Sequence, residues 1–316
     1  MMSEGLPGIS VVTPVYKAED CIEELYRRLR KTLEEIDPNF EIIMVEDGGG
    51  DASWQKIIAI ASTDSRVHGI QLSRNFGQHH AIAAGLDSAR GDWVVVMDCD
   101  LQDQPEEILV LYEAALQGYD VALGLRINRG DHFFRRMCSR VFYRAFNFLT
   151  GMKFDRHVSG FCVLSRKAVD ALCSIRESSR FLMAFVEWIG FPSIRVPVNH
   201  ASRTRGKSSY SLGKLLLHAL DAAVGFSSKP LFLAVFIGGI MSALSFFAGI
   251  WIIAQHFLGG LETPGWASVM VSIWFVAGLI VLNLGVVGIY LGKVYEQTKG
   301  RPLYIVRRTT DEEVAG

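Results

Sequence analysis

Two stretches without a formal charge, Leu231–Gln255 and Ala267–Gly292, constrain this chain more than anything else in it. Between Lys229 and Lys293 the only charged residue is Glu262. A helix over either stretch is roughly 38 Å long, enough to cross a hydrocarbon core of about 30 Å with some tilt. Two buried core helices of a soluble domain are the alternative. The link between the stretches, "HFLGGLETPGW", holds Gly and Pro and neither Lys nor Arg, whereas Lys207, Lys214, Lys229, Lys293, Lys299, Arg301, Arg307 and Arg308 flank the pair on its outer sides. The positive-inside rule then places both termini in the cytosol. The opening "MMSEGLPGISVV" lacks a basic region followed by an apolar one, so no cleaved signal peptide is expected.

The rest of the chain has a different texture. From Ile9 to Gly124, apolar β-type runs (ISVVTP, EIIMV, VHGIQL, WVVVM, DVALG) alternate with helical patterns such as Ile22, Leu25, Leu29, Leu33 and Ile36. That alternation predicts an α/β domain with a largely parallel sheet. Ligands of such sheets bind beyond the carboxyl ends of the strands, where Pro14–Tyr16, Glu46–Asp47 and Asp98–Asp100 fall. No GxGxxG occurs, so a dinucleotide site is not supported. Cys21, Cys99, Cys138, Cys162 and Cys173 show no CxxC spacing, which suits reduced thiols in a cytosolic domain. A net charge of −1 conceals an acidic first half and basic residues clustered near the apolar stretches.

Within "INRGDHFFRRMCSRVFYRAFNFLTG", arginines including Arg135 and Arg140 interleave with aromatics, as in a helix lying at a membrane surface. Nucleic acid is the rival partner for such a patch. Proximity to a membrane hairpin favours lipid phosphate, and no nucleic-acid partner is expected. A second amphipathic segment, "YSLGKLLLHALDAAVGFSSKP", leads into the first apolar stretch.

The run "VVVMDCDLQDQPEE" sets Asp98, Asp100, Asp103 and Glu106 directly after a strand pattern. Two aspartates one residue apart at a strand end can aim at a common ligand, and their hard oxygens suit Mg2+ or Mn2+ bridging to substrate phosphates. Alone, D-x-D also arises in ordinary surface loops. Earlier strand ends add "VEDGGGD" and "TPVYKAED", for which caps and turns are the plain alternative, most clearly at Asp51. His79 and His80 in "GQHHAIAAG" are adjacent on an expected helix, point about 100° apart, and so do not easily share one ligand.

Taken together, "VVTPVYKAED", "VEDGGGDAS", "LSRNFGQHHAIAAGLDSARGDWVVVMDCDLQDQPEEI", "RTRGKSSYSLGKLL" and "KGRPLYIVRR" resemble the successive motifs of glycosyltransferase family 2. The nearest subgroup is the polyisoprenyl-phosphate glycosyltransferases, similar to dolichol-phosphate mannose synthase and its bacterial relatives. The resemblance implies a GT-A type, Rossmann-like, mostly parallel sheet followed by juxtamembrane amphipathic helices and a two-helix transmembrane hairpin. It implies Pro14, Tyr16, Glu19, Asp47 and Asp98 at the nucleotide, and Asp98, Asp100 and Gln102 at a Mg2+ or Mn2+ ion. Asp100, Arg126 and Arg203 are the implied catalytic set. Arg126, Arg203, Ser208 and Tyr210, with Arg135 and Arg140, are expected at the acceptor phosphate.

The expected domains are a cytosolic catalytic domain over 1–210 with an interface segment at 131–152, and a juxtamembrane helix at 211–230. Membrane helices at 231–256 and 267–292 and a cytosolic tail at 293–316 complete the chain. The implied reaction is inverting transfer of a sugar from a nucleotide diphosphate sugar to a polyprenyl phosphate, undecaprenyl or dolichyl, at the cytosolic face of an inner or plasma membrane. A UDP-sugar is favoured, with GDP-mannose second and room for a homo-oligomer. A processive polysaccharide synthase is an alternative, but its Q-x-x-R-W signature is absent; a non-catalytic scaffold is another, opposed by the intact Asp98, Asp100 and Arg203. Two departures stand out. Glu46-Asp47-Gly48-Gly49 replaces the usual "DDGS", and Ser159-Gly160-Phe161 lacks the Asp that many relatives carry before the Phe. The second puts a catalytic base in doubt.

Overall fold

The computed structural model describes residues 8–126, 147, 158–177, 181–201, 228–258 and 265–314. These fall into two units. The first holds an eight-stranded sheet and the helices that cover it. Its chain order is β1 (Ile9–Val15), α1 (Ile22–Ile36), β2 (Phe40–Glu46), α2 (Ser53–Ala61), β3 (Val67–Leu72), α3 (Gln78–Ser88), β4 (Trp93–Val96) and α4 (Glu107–Ala115). There follow β5 (Val121–Arg126), β6 (Val158–Ser165), α5 (Arg166–Ser174), α6 (Leu182–Ile189) and β7 (Ser193–Val198).

Both β1 and β2 are buried at every position. Strands covered by helices on both faces are mostly apolar, which is why these runs are nearly continuous and do not alternate. The helix predicted from Ile22, Leu25, Leu29 and Leu33 forms as α1, and those residues are its buried stripe.

The strand order is β7-β5-β6-β4-β1-β2-β3, closed at its far edge by β8 (Val306–Thr309). β1 pairs parallel with β2 and β4, β2 with β3, and β5 with β7. β6 runs antiparallel between β4 and β5, so β1 to β5 and β7 all point one way. The carboxyl ends of β1, β2, β4 and β5 therefore open on one edge of the sheet. Across that edge, β6 brings Val158 opposite Leu125.

Within the segment expected as a C-terminal tail at 293–316, Val306–Thr309 joins the sheet as β8. β8 pairs antiparallel with β3, and α9 (Thr310–Val314) follows it. A strand this short, with Arg307 and Arg308 in it, carries the charge typical of a sheet edge and little of the apolar signal that marks a strand in sequence.

The second unit contains α7 (Lys229–Phe257) and α8 (Trp266–Thr298), which pack against each other. Within them, Leu231–Trp251 and Ser272–Thr298 are long and apolar enough to cross a membrane, with mean hydropathy of 2.3 and 2.2. α8 outruns its expected end at Gly292 because Lys293 to Thr298 contains no helix breaker. The expected interface segment at 131–152 and juxtamembrane helix at 211–230 lie almost wholly outside the described residues.

Candidate functional site

The carboxylates that follow β4 have separate destinations. Glu106 is not at the sheet edge in a functional sense: it forms a two-pronged ion pair with Arg28 of α1, with Nε to Oε1 at 2.9 Å, and so ties α4 to α1. Asp103 is 1% exposed. Its Oδ1 accepts from Arg126 Nη2 at 3.4 Å and lies 3.2 Å from His200 Nδ1. Asp98 and Asp100, both half-buried, remain at the strand end.

This crowding has an electrostatic result. Burial, reinforced by the charges of Asp103 and Asp100, pushes the Asp98 carboxyl up to about 6. Burial also raises the Asp103 carboxyl, against the pull of Arg126 and His200. The place thus favours added positive charge. Arg126, the last residue of β5, has the complementary need, since its buried Nε has no hydrogen-bond partner among the described residues. An unpaired buried N–H is costly, and a phosphate oxygen would satisfy it.

Backbone geometry holds the loop. Leu101, between Asp100 and Gln102, is left-handed at φ 60°, and the Gln102 amide donates to Asp100 Oδ1 at 3.1 Å. Lys17, in the loop after β1, is the other non-glycine residue at positive φ among the described residues. Strained backbone of this kind is held in place by its surroundings and tends to gather at working sites.

The nucleotide-side residues are placed as follows. Pro14 is buried within β1, and Tyr16, just beyond the strand, is 49% exposed with Lys17 Nζ 5.4 Å from its ring centre. Glu19 Oε2 accepts from the Ala52 amide at 2.8 Å, and Asp51 caps the same turn through Ser53. Asp47 is 2% exposed, and its two oxygens accept the amides of Phe76 at 2.7 Å and Gly77 at 2.9 Å. Burial raises its carboxyl while those amides lower it.

Two side chains enter that the sequence did not single out, Gln78 and His200. Gln78, at the start of α3, donates to Asp98 Oδ1 at 2.6 Å. Beside it, His79 packs edge-on against Phe181 at 5.3 Å, so the histidines drew attention that belonged to their neighbour. His200 and Asp103 form an antiparallel bridge, and the Ala201 amide donates to the Gln102 carbonyl at 2.9 Å. The chain leading to Arg203 is thereby stitched to the loop holding Asp100 and Gln102. Arg203 itself, with Ser208, Tyr210, Arg135 and Arg140, lies outside the described residues. At Gly160 an added Cβ would meet nothing within 4 Å, so the glycine is not imposed by crowding at Cβ.

Among the described residues no group of three or more His, Cys, Asp or Glu side chains forms a self-sufficient metal cluster. The donor set still fits Mg2+ or Mn2+. Such ions commonly take one or two carboxylates and complete their shell with water and substrate phosphate, and Asp98 and Asp100, with the side-chain amide of Gln102 as a further candidate, supply hard oxygen donors beside a region short of positive charge.

Comparison with known proteins agrees. The profile of Glycosyl transferase family 2 matches residues 10–173. The bactoprenol glucosyl transferase of Shigella phage SfII is 34% identical over 303 residues, covering 95% of this chain and 98% of that protein. The undecaprenyl-phosphate 4-deoxy-4-formamido-L-arabinose transferase of Aeromonas hydrophila is 33% identical over 307 residues, covering 95% and 93%. Glucosyl-3-phosphoglycerate synthase from Mycobacterium tuberculosis, solved with Mn2+, UDP and phosphoglyceric acid, superposes with a TM-score of 0.50 at 19% identity over 70% of this chain and 77% of that one, a likeness of fold. The chain belongs to glycosyl transferase family 2, and its full-length relatives include the bactoprenol and undecaprenyl-phosphate transferases of that family.

Proposed function

We propose that the protein moves a sugar from a nucleoside diphosphate sugar to a polyprenyl phosphate at the cytosolic face of a membrane, inverting the anomeric carbon. One observation carries this reading. Asp98, Asp100 and buried Asp103 crowd a strand end that favours a cation, next to an Arg126 whose buried Nε has no hydrogen-bond partner among the described residues. A cation-bound diphosphate meets both needs. Relatives named for bactoprenol and undecaprenyl phosphate support the lipid acceptor, and a fold neighbour holding Mn2+ and UDP supports a uridine donor over a guanosine one.

In the reaction an acceptor phosphate oxygen forms a bond to the sugar's anomeric carbon as the bond from that carbon to the nucleoside diphosphate breaks on the opposite face. A lipid monophosphate has a second pKa near 6, is largely dianionic at neutral pH, and needs no base, in keeping with Gly160. Asp98, Asp100 and Gln102 would hold the divalent ion, which when bound supplies positive charge to the departing diphosphate. Arg126 donates to the same phosphates. Tyr16, Glu19 and Asp47 line the nucleotide, with Pro14, near the end of β1, beneath it. Arg203, Ser208 and Tyr210 engage the acceptor phosphate, with Arg135 and Arg140 nearby.

Transfer of radiolabelled sugar to a short-chain polyprenyl phosphate, run beside the corresponding free alcohol, tests the proposal. Labelling of the phosphate alone is expected. Equal labelling of the alcohol would mean a hydroxyl nucleophile and a general base, and failure with both UDP- and GDP-sugars would overturn the activity. Arg203→Ala should lower transfer by at least about tenfold, about 1.4 kcal/mol of transition-state stabilisation. Arg140→Ala should cost less, because each surface cation adds only about 1 kcal/mol to lipid attraction.

A further inference from the structure

The strand that returns to the sheet after α8 reaches the nucleotide side of the site through a short chain of hydrogen bonds. We propose that Arg308, in β8, is a positioning residue for the donor nucleotide, acting through Gln71 and Glu46 on the loop that carries Asp47. The proposal rests on the reading of that loop as part of a donor site.

Arg308 pairs with Gln71 across the β8–β3 ladder, and its Nε donates to Gln71 Oε1 at 2.7 Å. Gln71 Nε2 in turn donates to Glu46 Oε2 at 2.9 Å, and Glu46 Oε1 accepts the Gly49 amide. The polarity of this chain is forced. A guanidinium has only donors and a carboxylate only acceptors, so the Gln71 amide must turn its oxygen to Arg308 and its NH2 to Glu46. Without Arg308 the amide loses the partner that fixes its direction, and a flipped amide would set its oxygen against a carboxylate that is 2% exposed.

Both ends of the chain are held firmly. Arg308 Nη1 pairs with Glu313, and its guanidinium lies 5.2 Å from the Trp54 ring centre. Around it, the Ser73 amide donates to the Ile305 carbonyl at 2.9 Å and the Gly69 amide to Thr310 Oγ1 at 2.8 Å, with Thr310 1% exposed. At the other end stands the departure noted in the sequence. Glu46 has one methylene more than aspartate, which lets its two oxygens reach Gly49 on one side and Gln71 on the other. A Cβ at Gly49 would stand 3.3 Å from Glu46 Oε1 and 2.9 Å from the Lys17 amide nitrogen, so glycine keeps the space that the longer acid uses. Glu46 and Gly49 bracket Asp47, whose carboxylate organises Phe76 and Gly77, and Gly49 abuts the loop of Tyr16 and Lys17. The tail therefore sets the shape of the nucleotide side, through Arg308, Gln71 and Glu46.

The test uses full-length protein in detergent, with UDP and Mn2+ as the probe and GDP in parallel. Arg308→Met should weaken nucleotide binding by about five- to tenfold, the change expected for about one net hydrogen bond, and should speed hydrogen exchange of the Gly49 amide. The KM for polyprenyl phosphate should stay within about twofold, and Arg308→Lys, which keeps a donor, should restore most of the affinity. Arg308→Met combined with Gln71→Met should lose no more than the worse single variant, as members of one chain do. Unchanged affinity and unchanged Gly49 exchange would overturn the proposal. So would additive losses, or a fall in affinity that tracks melting temperature and is not restored by lysine, which would make Arg308 a structural anchor only. If the unaltered protein bound neither UDP nor GDP, the donor-site reading would fail by itself, and Gly49 exchange would still judge the hydrogen-bond chain.

Discussion

Asp98, Asp100 and Asp103 crowd one strand end, and like charges so close repel unless cations share them. Asp100→Asn removes one charge without changing shape, so it should leave the fold at least as stable while abolishing transfer. Measured turnover near that of the unaltered enzyme, with normal metal dependence, would sink the assignment of Asp100. A different carboxylate governs acid stability. Asp64 is held down to about 2 from 3.8, first by its bond to Arg66 and further by the Arg66 amide and the Tyr26 hydroxyl. Its folded-state pKa lies below the unfolded one, so its stabilisation is present above about pH 4 and is lost as pH falls toward about 2. The shift corresponds to about 2 kcal/mol. Asp64→Asn should therefore lower the melting temperature at neutral pH, and the gap to the unaltered protein should narrow steadily below about pH 4. A gap independent of pH would show that the bond, and not the charge, matters.

Helix α3 sits on the sheet at Gly85, where an added Cβ would stand 2.3 Å from Val12 Cγ1 of fully buried β1. A close-packed core cannot absorb that overlap without moving helix or strand. Gly85→Ala should cost about 1–3 kcal/mol in denaturant unfolding. Because α3 also carries Gln78 against Asp98, metal-dependent nucleotide binding should weaken with it. Full stability of Gly85→Ala would mean that α3 is free to ride outward. Helix α1 was legible in sequence through its period of apolar residues, and strands β1 to β5 through their apolar runs. β8 was not, being four residues of mixed polarity recruited by an open edge.

For the whole molecule the sheet bears on topology. A sheet does not straddle a bilayer, and β8, reached only after both apolar helices, pairs with β3, which precedes them. That supports a hairpin crossing out and back, and the lack of Lys and Arg between α7 and α8 is the ground for proposing their loop on the non-cytosolic side. Thr263→Cys should react with a membrane-impermeant maleimide in whole cells. Reaction only after the membrane is permeabilised would place the loop in the cytosol and reverse the orientation proposed for the catalytic domain.

The amino-acid sequence by itself determined the two apolar helices, the alternation that makes the parallel sheet, and the gathering of Pro14–Tyr16, Asp47 and Asp98–Asp100 at strand ends. All are local properties, carried by charge, period and position along a short run of chain. Only the tertiary structure decided which partner each polar group took. Asp103 went to His200, 97 residues away, and Gln71 to Arg308, 237 away. Such pairs leave no periodic trace in sequence. They are chosen when burial strips water from a carboxylate or an amide and the folded chain must supply, from wherever it has brought them, the donors and acceptors that water no longer provides.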